Sequence, residues 1–217
     1  MTETFFAILM GGALTVTPRL TRQIAGARVI AADGGIRHAR ALGVTPEVWV
    51  GDFDSATAAM VADWPKVPRE PYPPAKNETD GEIAVAGAIA RGARKVLLAG
   101  ALGGERSDHA FMHLLYAVSL ALDGIEVILT TGEEEAYPLL SGALALELPQ
   151  ASLFSVLGLD RLDGLTIEGA RYPLTDFHLP FGSSRTISNV AAAETVTFSL
   201  VSGRAVVLAR PYDLSGA

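Results

Sequence analysis

The first 130 or so residues alternate between short, unbroken apolar runs and longer mixed stretches of helical spacing. Phe5-Phe-Ala-Ile-Leu-Met10, Arg28-Val-Ile-Ala-Ala32, Val48-Trp-Val50, Lys95-Val-Leu-Leu-Ala99 and Ile125-Glu-Val-Ile-Leu-Thr-Thr131 read as strands. Their continuous apolarity is that of strands covered on both faces. Helices are expected over about 18–26, 36–42 (ending at Gly43), from Ala56, over 79–92 and over 108–122. Thr79 with Glu82 three residues on forms a capping box. In the last helix Phe111, Leu114, Leu115, Val118 and Leu122 form one apolar stripe. Residues 63–77 break the rhythm: five prolines (Pro65, Pro68, Pro71, Pro73, Pro74) dictate an extended connection or an edge segment. Strand–helix alternation of this kind predicts an α/β fold, a mostly parallel sheet with helices on both faces.

After Gly132 the pattern changes. Ala143–Leu148, Leu153–Leu157, Leu165–Ile167, Thr195–Leu200 and Ala205–Leu208 are short apolar segments between turn formers, without helical period. Val201-Ser-Gly-Arg204 reads as a hairpin turn between the last two. The chain is therefore read as an α/β domain over 1–133 and a small all-β sandwich over 134–217.

Composition narrows the field. At 217 residues and 49% hydrophobic, the chain has material for a sizeable core. It has no cysteine, which excludes disulfides, thiolate catalysis and cysteine zinc sites. A net charge of −7 argues against nucleic acid or an anionic membrane as partner. No apolar run reaches membrane-span length and the N-terminus lacks a basic flank, so a cytoplasmic location is expected.

Candidate chemistry lies at the strand ends. Asp33, Asp52, Asp54 and Asp108 follow the C-terminal ends of predicted parallel strands, and Asp80 starts a helix. Any one of them alone is a helix cap or a solvated turn. At one edge of an open α/β sheet, where ligands bind, they make a site for a hard divalent cation and a polyphosphate. In an extended Gly51-Asp-Phe-Asp-Ser55, Asp52 and Asp54 would face one side and Phe53 the other. Gly34, Gly35, Gly51, Gly103 and Gly104 allow backbone N–H groups to approach phosphate, and Lys76 and Arg106 supply positive charge for phosphoryl transfer. The Asp-x-Asp nucleophile of haloacid-dehalogenase phosphatases fits less well, because Ala56 stands where that motif has Thr or Val. His109 and His113, one helical turn apart, lack a third ligand for zinc. There is no Walker loop and no Gly-x-Gly-x-x-Gly fingerprint.

Ala32-Asp-Gly-Gly35, Gly51-Asp-Phe-Asp-Ser55, Lys76-x-x-Thr79-Asp80, Gly103-Gly104-x-Arg106-x-Asp108-His109 and Ile187-Ser-Asn189 follow one another in the order seen in thiamine pyrophosphokinases, which the chain resembles along most of its length. The resemblance implies an α/β domain joined to a β-sandwich, acting as a homodimer. The implied reaction is Mg²⁺-dependent transfer of the β,γ-pyrophosphoryl group of ATP to the hydroxyl of thiamine, giving thiamine diphosphate and AMP. It implies that Asp52, Asp54 and Asp80 hold Mg²⁺, with Asp33 and Asp108 completing the acidic edge and Arg106 stabilising the transition state. Gly34, Gly35, Lys76, Thr79, Gly103, Gly104, Arg106, Asp108 and His109 would surround ATP. Ser188 and Asn189 would lie near thiamine, in a cleft where two subunits meet. Two departures stand out. The family's usual Gly-Gly-Arg-x-Asp-His is interrupted by Glu105, and the sandwich has no tryptophan, so Phe177, Phe181 or Tyr172 would supply any stacking surface. Alternatives are a pyrophosphokinase for another heterocyclic alcohol, such as a hydroxymethylpterin, and a non-catalytic nucleotide sensor.

Overall fold

The structure, a computed structural model, describes residues 4–54, 56–73, 77–103 and 106–216. Ser55, Lys76, Gly104 and Glu105 lie outside the described residues. The chain divides into two compact units, one of residues 1–113 and 124–132, the other of 114–123 and 133–217.

In the first unit the elements are β1 (Thr4–Leu9), α1 (Pro18–Ile24), β2 (Arg28–Ala32), a 3-10 turn (Asp33–His38) running into α2 (Ala39–Leu42), β3 (Val48–Gly51), α3 (Ala58–Asp63), β4 (Arg69–Pro71), α4 (Asp80–Ala90), β5 (Ala93–Ala99), the start of α5 (Ser107–Leu122) and β6 (Glu126–Thr130). The proline-rich stretch thus supplies the short edge strand β4, where a missing N–H is tolerated. All pairings are parallel, in the order β4-β3-β2-β1-β5-β6. Apart from the edge strand β4, which has no fully buried residue, the strands bury both faces. Ala7, Leu9, Val29, Ala31, Trp49, Leu97 and Ala99 form one cluster with Leu20 and Ile24 of α1. The alternate residues Phe6, Ile8, Ile30, Val96 and Leu98 are equally buried, on the face where α4 packs across β1, β2, β3 and β5. Thr79 caps α4 in the expected box: its hydroxyl accepts from Glu82 N at 3.2 Å and Glu82 accepts from Thr79 N at 2.7 Å. In α5 the expected stripe is corrected: Ala117, Val118 and Leu120 are buried, whereas Phe111 and Leu122 are exposed.

The order of the strands matters for function. From β1 the chain moves outward one way through β2, β3 and β4, then returns to place β5 and β6 on the other side of β1. The loops after β1 and β5 therefore leave in opposite senses and open a crevice at their C-terminal ends, the usual ligand position in an open α/β sheet. The loops are laced together there. Gly12 N donates to Gly100 O at 3.0 Å, Gly100 N to Thr130 O at 2.8 Å and Thr15 N to Thr131 O at 2.7 Å. A Cβ on Gly12 would collide with the Gly100 carbonyl, so only glycine permits this approach.

The second unit is all antiparallel in its strand pairing. β7 (Glu135–Leu139), β14 (Ala205–Arg210), β9 (Leu153–Gly158) and β12 (Asn189–Val190) form one sheet; β8 (Gly142–Glu147), β13 (Thr195–Leu200), β10 (Leu162–Glu168) and β11 (Leu174–Leu179) form the other. Phe154 of β9 meets Phe198 of β13 edge to face, centroids 5.4 Å apart, between the two layers. The expected hairpin at Val201–Arg204 is not one. β13 and β14 belong to different sheets, and Gly203, at φ 110°, turns a corner between them. That corner is held by Arg204 N donating to Asp160 Oδ1 at 2.7 Å.

Candidate functional site

Three carboxylates converge at the ends of β2 and β3. One oxygen each from Asp33, Asp52 and Asp54 lies within 4.8 Å of the others. The backbone achieves this as a turn, not as the extended run that alternation suggested. Phe53 has φ 61°, and Asp54 N donates to Asp52 Oδ1 at 3.2 Å. The Phe53 ring packs edge-on against Trp49, centroids 5.1 Å apart. Trp49, fully buried in β3, donates its indole N–H to the Asp33 carbonyl at 2.8 Å and so ties the two strand ends together. Asp33 itself has φ 39°. A Cβ on Gly51, whose φ is 155°, would lie 3.2 Å from both Cα and Cβ of Asp33. Gly51 is thus required for the close approach of the two Asp-bearing loops. An all-oxygen, triply anionic donor set of this kind suits a hard cation such as Mg²⁺.

Asp33 also borders a cleft of about 650 Å³, lined by the loops after β1, β2 and β5 and by the starts of α4 and α5. Gly34, Thr79, Asp80, Gly103, Arg106 and His109 line it as well. Gly35 is buried beneath, against the Leu9 carbonyl. Asp80, at the first position of α4, faces the cleft but stands outside the three-carboxylate group. Asp108 is not on the lining; its carboxylate accepts two hydrogen bonds from Arg106, at 3.0 and 2.7 Å. The guanidinium beside it holds the Asp108 carboxyl well below the usual carboxylate range.

Residues that the sequence reading did not single out, Ala13, Arg37 and Ala110, join Gly11 and Gly12 on its wall, together with His113, which was weighed there only as half of a zinc pair. Arg37 donates to the carbonyls of Gly11 and Gly12. The neighbouring His38 bonds Gly12 O at 2.9 Å, and His113 Nδ1 bonds Ala101 O at 2.7 Å. The signal was present in the Gly11-Gly12 pair, which ends a strand as Gly34-Gly35 nearly does, but no acidic residue drew attention to it.

The second unit carries a smaller pocket, about 150 Å³, lined by Tyr172, Leu174, Arg185, Thr186, Ile187, Ser188 and Asn189. Ser188 sits at φ 57° with its N–H on Ser155 Oγ at 3.0 Å. The Asn189 amide is engaged with backbone: Oδ1 accepts from Tyr172 N at 3.1 Å and Val190 N at 2.8 Å, and Nδ2 donates to Tyr172 O at 2.9 Å. Asn189 therefore fixes the wall of the pocket. Of the three aromatic candidates only Tyr172, about half exposed, lines it; Phe177 packs within β11 and Phe181 projects outward.

A parallel sheet with a crevice at the reversal of strand order, followed by an antiparallel sandwich, defines a two-domain α/β-plus-β architecture. Family profiles make it specific. The profile described as "Thiamin pyrophosphokinase, catalytic domain" matches residues 24–129, and that described as "Thiamin pyrophosphokinase, vitamin B1 binding domain" matches 147–204. The chain belongs to the thiamin pyrophosphokinase family and is an enzyme of that kind.

Solved structures agree on the fold. The thiamine pyrophosphokinase of Bacillus subtilis superposes with a TM-score of 0.84 at 24% identity, over 95% of this chain and 98% of that one. That of Geobacillus thermodenitrificans gives 0.82 at 27% identity, over 98% and 100%. The Candida albicans thiamin pyrophosphokinase gives 0.77 at only 12% identity, over 95% and 90%. No curated protein matches the chain in sequence. Among the described residues, no helix is long and apolar enough to cross a membrane.

Proposed function

We propose that this enzyme transfers the β,γ-pyrophosphoryl group of ATP to the hydroxyl of thiamine in a Mg²⁺-dependent reaction, releasing AMP. The observation that carries the reading is the Asp33–Asp52–Asp54 cluster beside a glycine-walled cleft at the point where strand order reverses. The thiamine hydroxyl oxygen forms a bond to the β-phosphorus, the bond from that phosphorus to the α–β bridging oxygen breaks, and the hydroxyl proton is released. Asp33, Asp52 and Asp54 would hold Mg²⁺, with Asp80 facing the same cleft. The ion would neutralise polyphosphate charge and lower the hydroxyl pKa. Gly11, Gly12, Gly34, Gly35 and Gly103 leave room for phosphate oxygens near backbone. Arg37, Arg106 and Lys76 are cations for the charge that moves to the leaving AMP, with Gly104, Thr79, Asp108 and His109 around the nucleotide.

Residues 1–133 thus form the ATP and Mg²⁺ domain and 134–217 the thiamine domain. There the pocket beside Ser188 and Asn189 receives the heterocycle against Tyr172. The enzyme works as a cytoplasmic homodimer with its site completed across the subunit interface. Product analysis tests the reaction: with ATP, Mg²⁺ and thiamine, AMP and thiamine diphosphate form in equal amounts. ADP as the sole nucleotide product, or turnover only with a hydroxymethylpterin, contradicts it. Binding of ATP without any product would support the sensor reading instead.

A further inference from the structure

Two histidines outside the acidic cluster touch the two loops that open the cleft. His38, just before α2, bonds the carbonyl of Gly12 in the loop after β1 through Nε2. His113, on the second turn of α5, bonds the carbonyl of Ala101 in the loop after β5 through Nδ1. A carbonyl oxygen only accepts, so the bonded nitrogen must carry the proton. The tautomers are therefore opposite: Nε2–H in His38 and Nδ1–H in His113. Both rings are partly buried, and burial holds both below the ordinary histidine pKa, which keeps them neutral near pH 7.

Apart from the backbone bonds that lace them, the buried Leu102 and Arg37 on the carbonyls of Gly11 and Gly12, the loops they hold have few side-chain restraints within the cleft wall. Gly11, Gly12, Ala13, Gly100, Ala101 and Gly103 offer no side chain beyond a methyl to pack. Fixing a carbonyl fixes the orientation of its whole peptide plane, and so of the N–H on the other side of that plane. In a wall whose recognition groups are backbone N–H donors, this orientation decides affinity for an anion.

We infer that His38 and His113 are positioning residues that fasten the Gly11–Ala13 and Gly100–Gly103 loops in the conformation that receives the triphosphate of the nucleotide. They touch carbonyls and not the reacting atoms. Their loss raises the dissociation and Michaelis constants for ATP while leaving kcat nearly intact. The inference rests on the reading of the cleft as an ATP site. It also extends that reading, since the fastening predicts a chemical signature of its own. Asparagine places an N–H donor where histidine has Nδ1, and glutamine places one where histidine has Nε2. His113→Asn and His38→Gln should therefore preserve function, whereas His113→Gln and His38→Asn should not. The His38 series should show the smaller effect, because Arg37 also bonds Gly12 O, at 3.2 Å.

The test combines amide hydrogen exchange of residues 11–13 and 101–103 with titration of α,β-methylene-ATP, which cannot transfer its pyrophosphoryl group, and with steady-state kinetics. For His113→Ala the account expects at least tenfold faster exchange at 101–103, at least fivefold weaker binding of the analogue, and kcat within twofold. His113→Asn should return exchange and affinity towards wild type and His113→Gln should not, with kcat near wild type throughout; for His38 the two amides exchange roles. Three results would overturn the inference: exchange unaltered by alanine, Asn and Gln variants that behave alike at each position, or faster exchange with analogue affinity intact. Failure of the wild-type enzyme to bind the analogue would overturn the ATP reading, and with it the affinity claim. The exchange pattern would still read the fastening by itself.

Discussion

The cleft of the α/β unit and the pocket of the sandwich are built on different principles. Asp33, Asp80, Arg37 and Arg106 reach the cleft from three separate segments, the 3-10 turn after β2 that carries both Asp33 and Arg37, the start of α4 and the residue before α5, and only the sheet brings them together. The pocket draws on two short segments, 172–174 and 185–189, and its sole charged lining residue among those described is Arg185. The first arrangement places opposite charges where a polyphosphate would be held and cleaved. The second offers an aromatic wall and hydrogen-bonding backbone, which suits recognition of a heterocycle. Under the proposed reading, chemistry and recognition are divided between the two units, and variants of each should fail in different kinetic constants.

The largest effect should come from the acidic cluster. Asp52→Asn retains the shape of the Asp52–Asp54 turn and removes one anionic ligand, so kcat should fall by about 10²-fold or more, with the melting temperature little changed. Near-wild-type turnover at saturating Mg²⁺ would break the assignment of chemistry to this unit. Asn189→Ala removes three hydrogen bonds to the backbone of Tyr172 and Val190. It should raise KM for thiamine by roughly tenfold and cost about 1–3 kcal/mol of stability, leaving KM for ATP unaltered. An effect on KM for ATP instead would dissolve the division.

Trp49→Phe keeps an aromatic ring in the core but loses the indole bond to Asp33 O. It should cost about 1–3 kcal/mol in denaturant melts through the unsatisfied carbonyl and lower kcat about tenfold by releasing Asp33. The smallest expected effect is on pH. Burial lowers His38 and His113 below 6.5, so the folded state binds fewer protons than the unfolded state just below that pH, and stability falls as pH drops from 6.5 towards their folded values. The melting temperature should decline by a few degrees between about pH 7.5 and 5.5, and the decline should shrink in the His38→Gln/His113→Asn double variant.

The same contrast explains what the sequence revealed. In the α/β unit the strands other than the edge strand β4 are buried on both faces, so Phe6 to Leu9 or Val96 to Ala99 announce themselves as unbroken apolar runs, and Asp33 and Asp52 stand just past such ends. The capping box at Thr79 is local chemistry and was legible for that reason. In the sandwich, β11 (Leu174–Leu179) carries exposed Thr175, Asp176 and His178, and β12 has two residues; neither carries enough signal to be seen. Val201–Arg204 has the composition of a hairpin, and only the pairing of β13 with β8 and β10 shows that the chain changes sheets there. The acidic motifs were equally local. Their grouping was not: Asp33 joins Asp52 and Asp54 because β2 and β3 are neighbours and Trp49 ties their ends together, whereas Asp80 comes from α4. Arg37, His38 and His113 act through carbonyl oxygens, which no side-chain motif records.

In the proposed reaction Asp33, Asp52 and Asp54 would together hold the divalent cation that accompanies ATP. The most direct measurement is electron paramagnetic resonance titration of Mn²⁺ in the presence of α,β-methylene-ATP, on the wild-type enzyme and on Asp33→Asn and Asp52→Asn. The account predicts tight binding of Mn²⁺ to the wild-type complex and at least tenfold weaker binding in both variants. Unchanged Mn²⁺ affinity in both would contradict it.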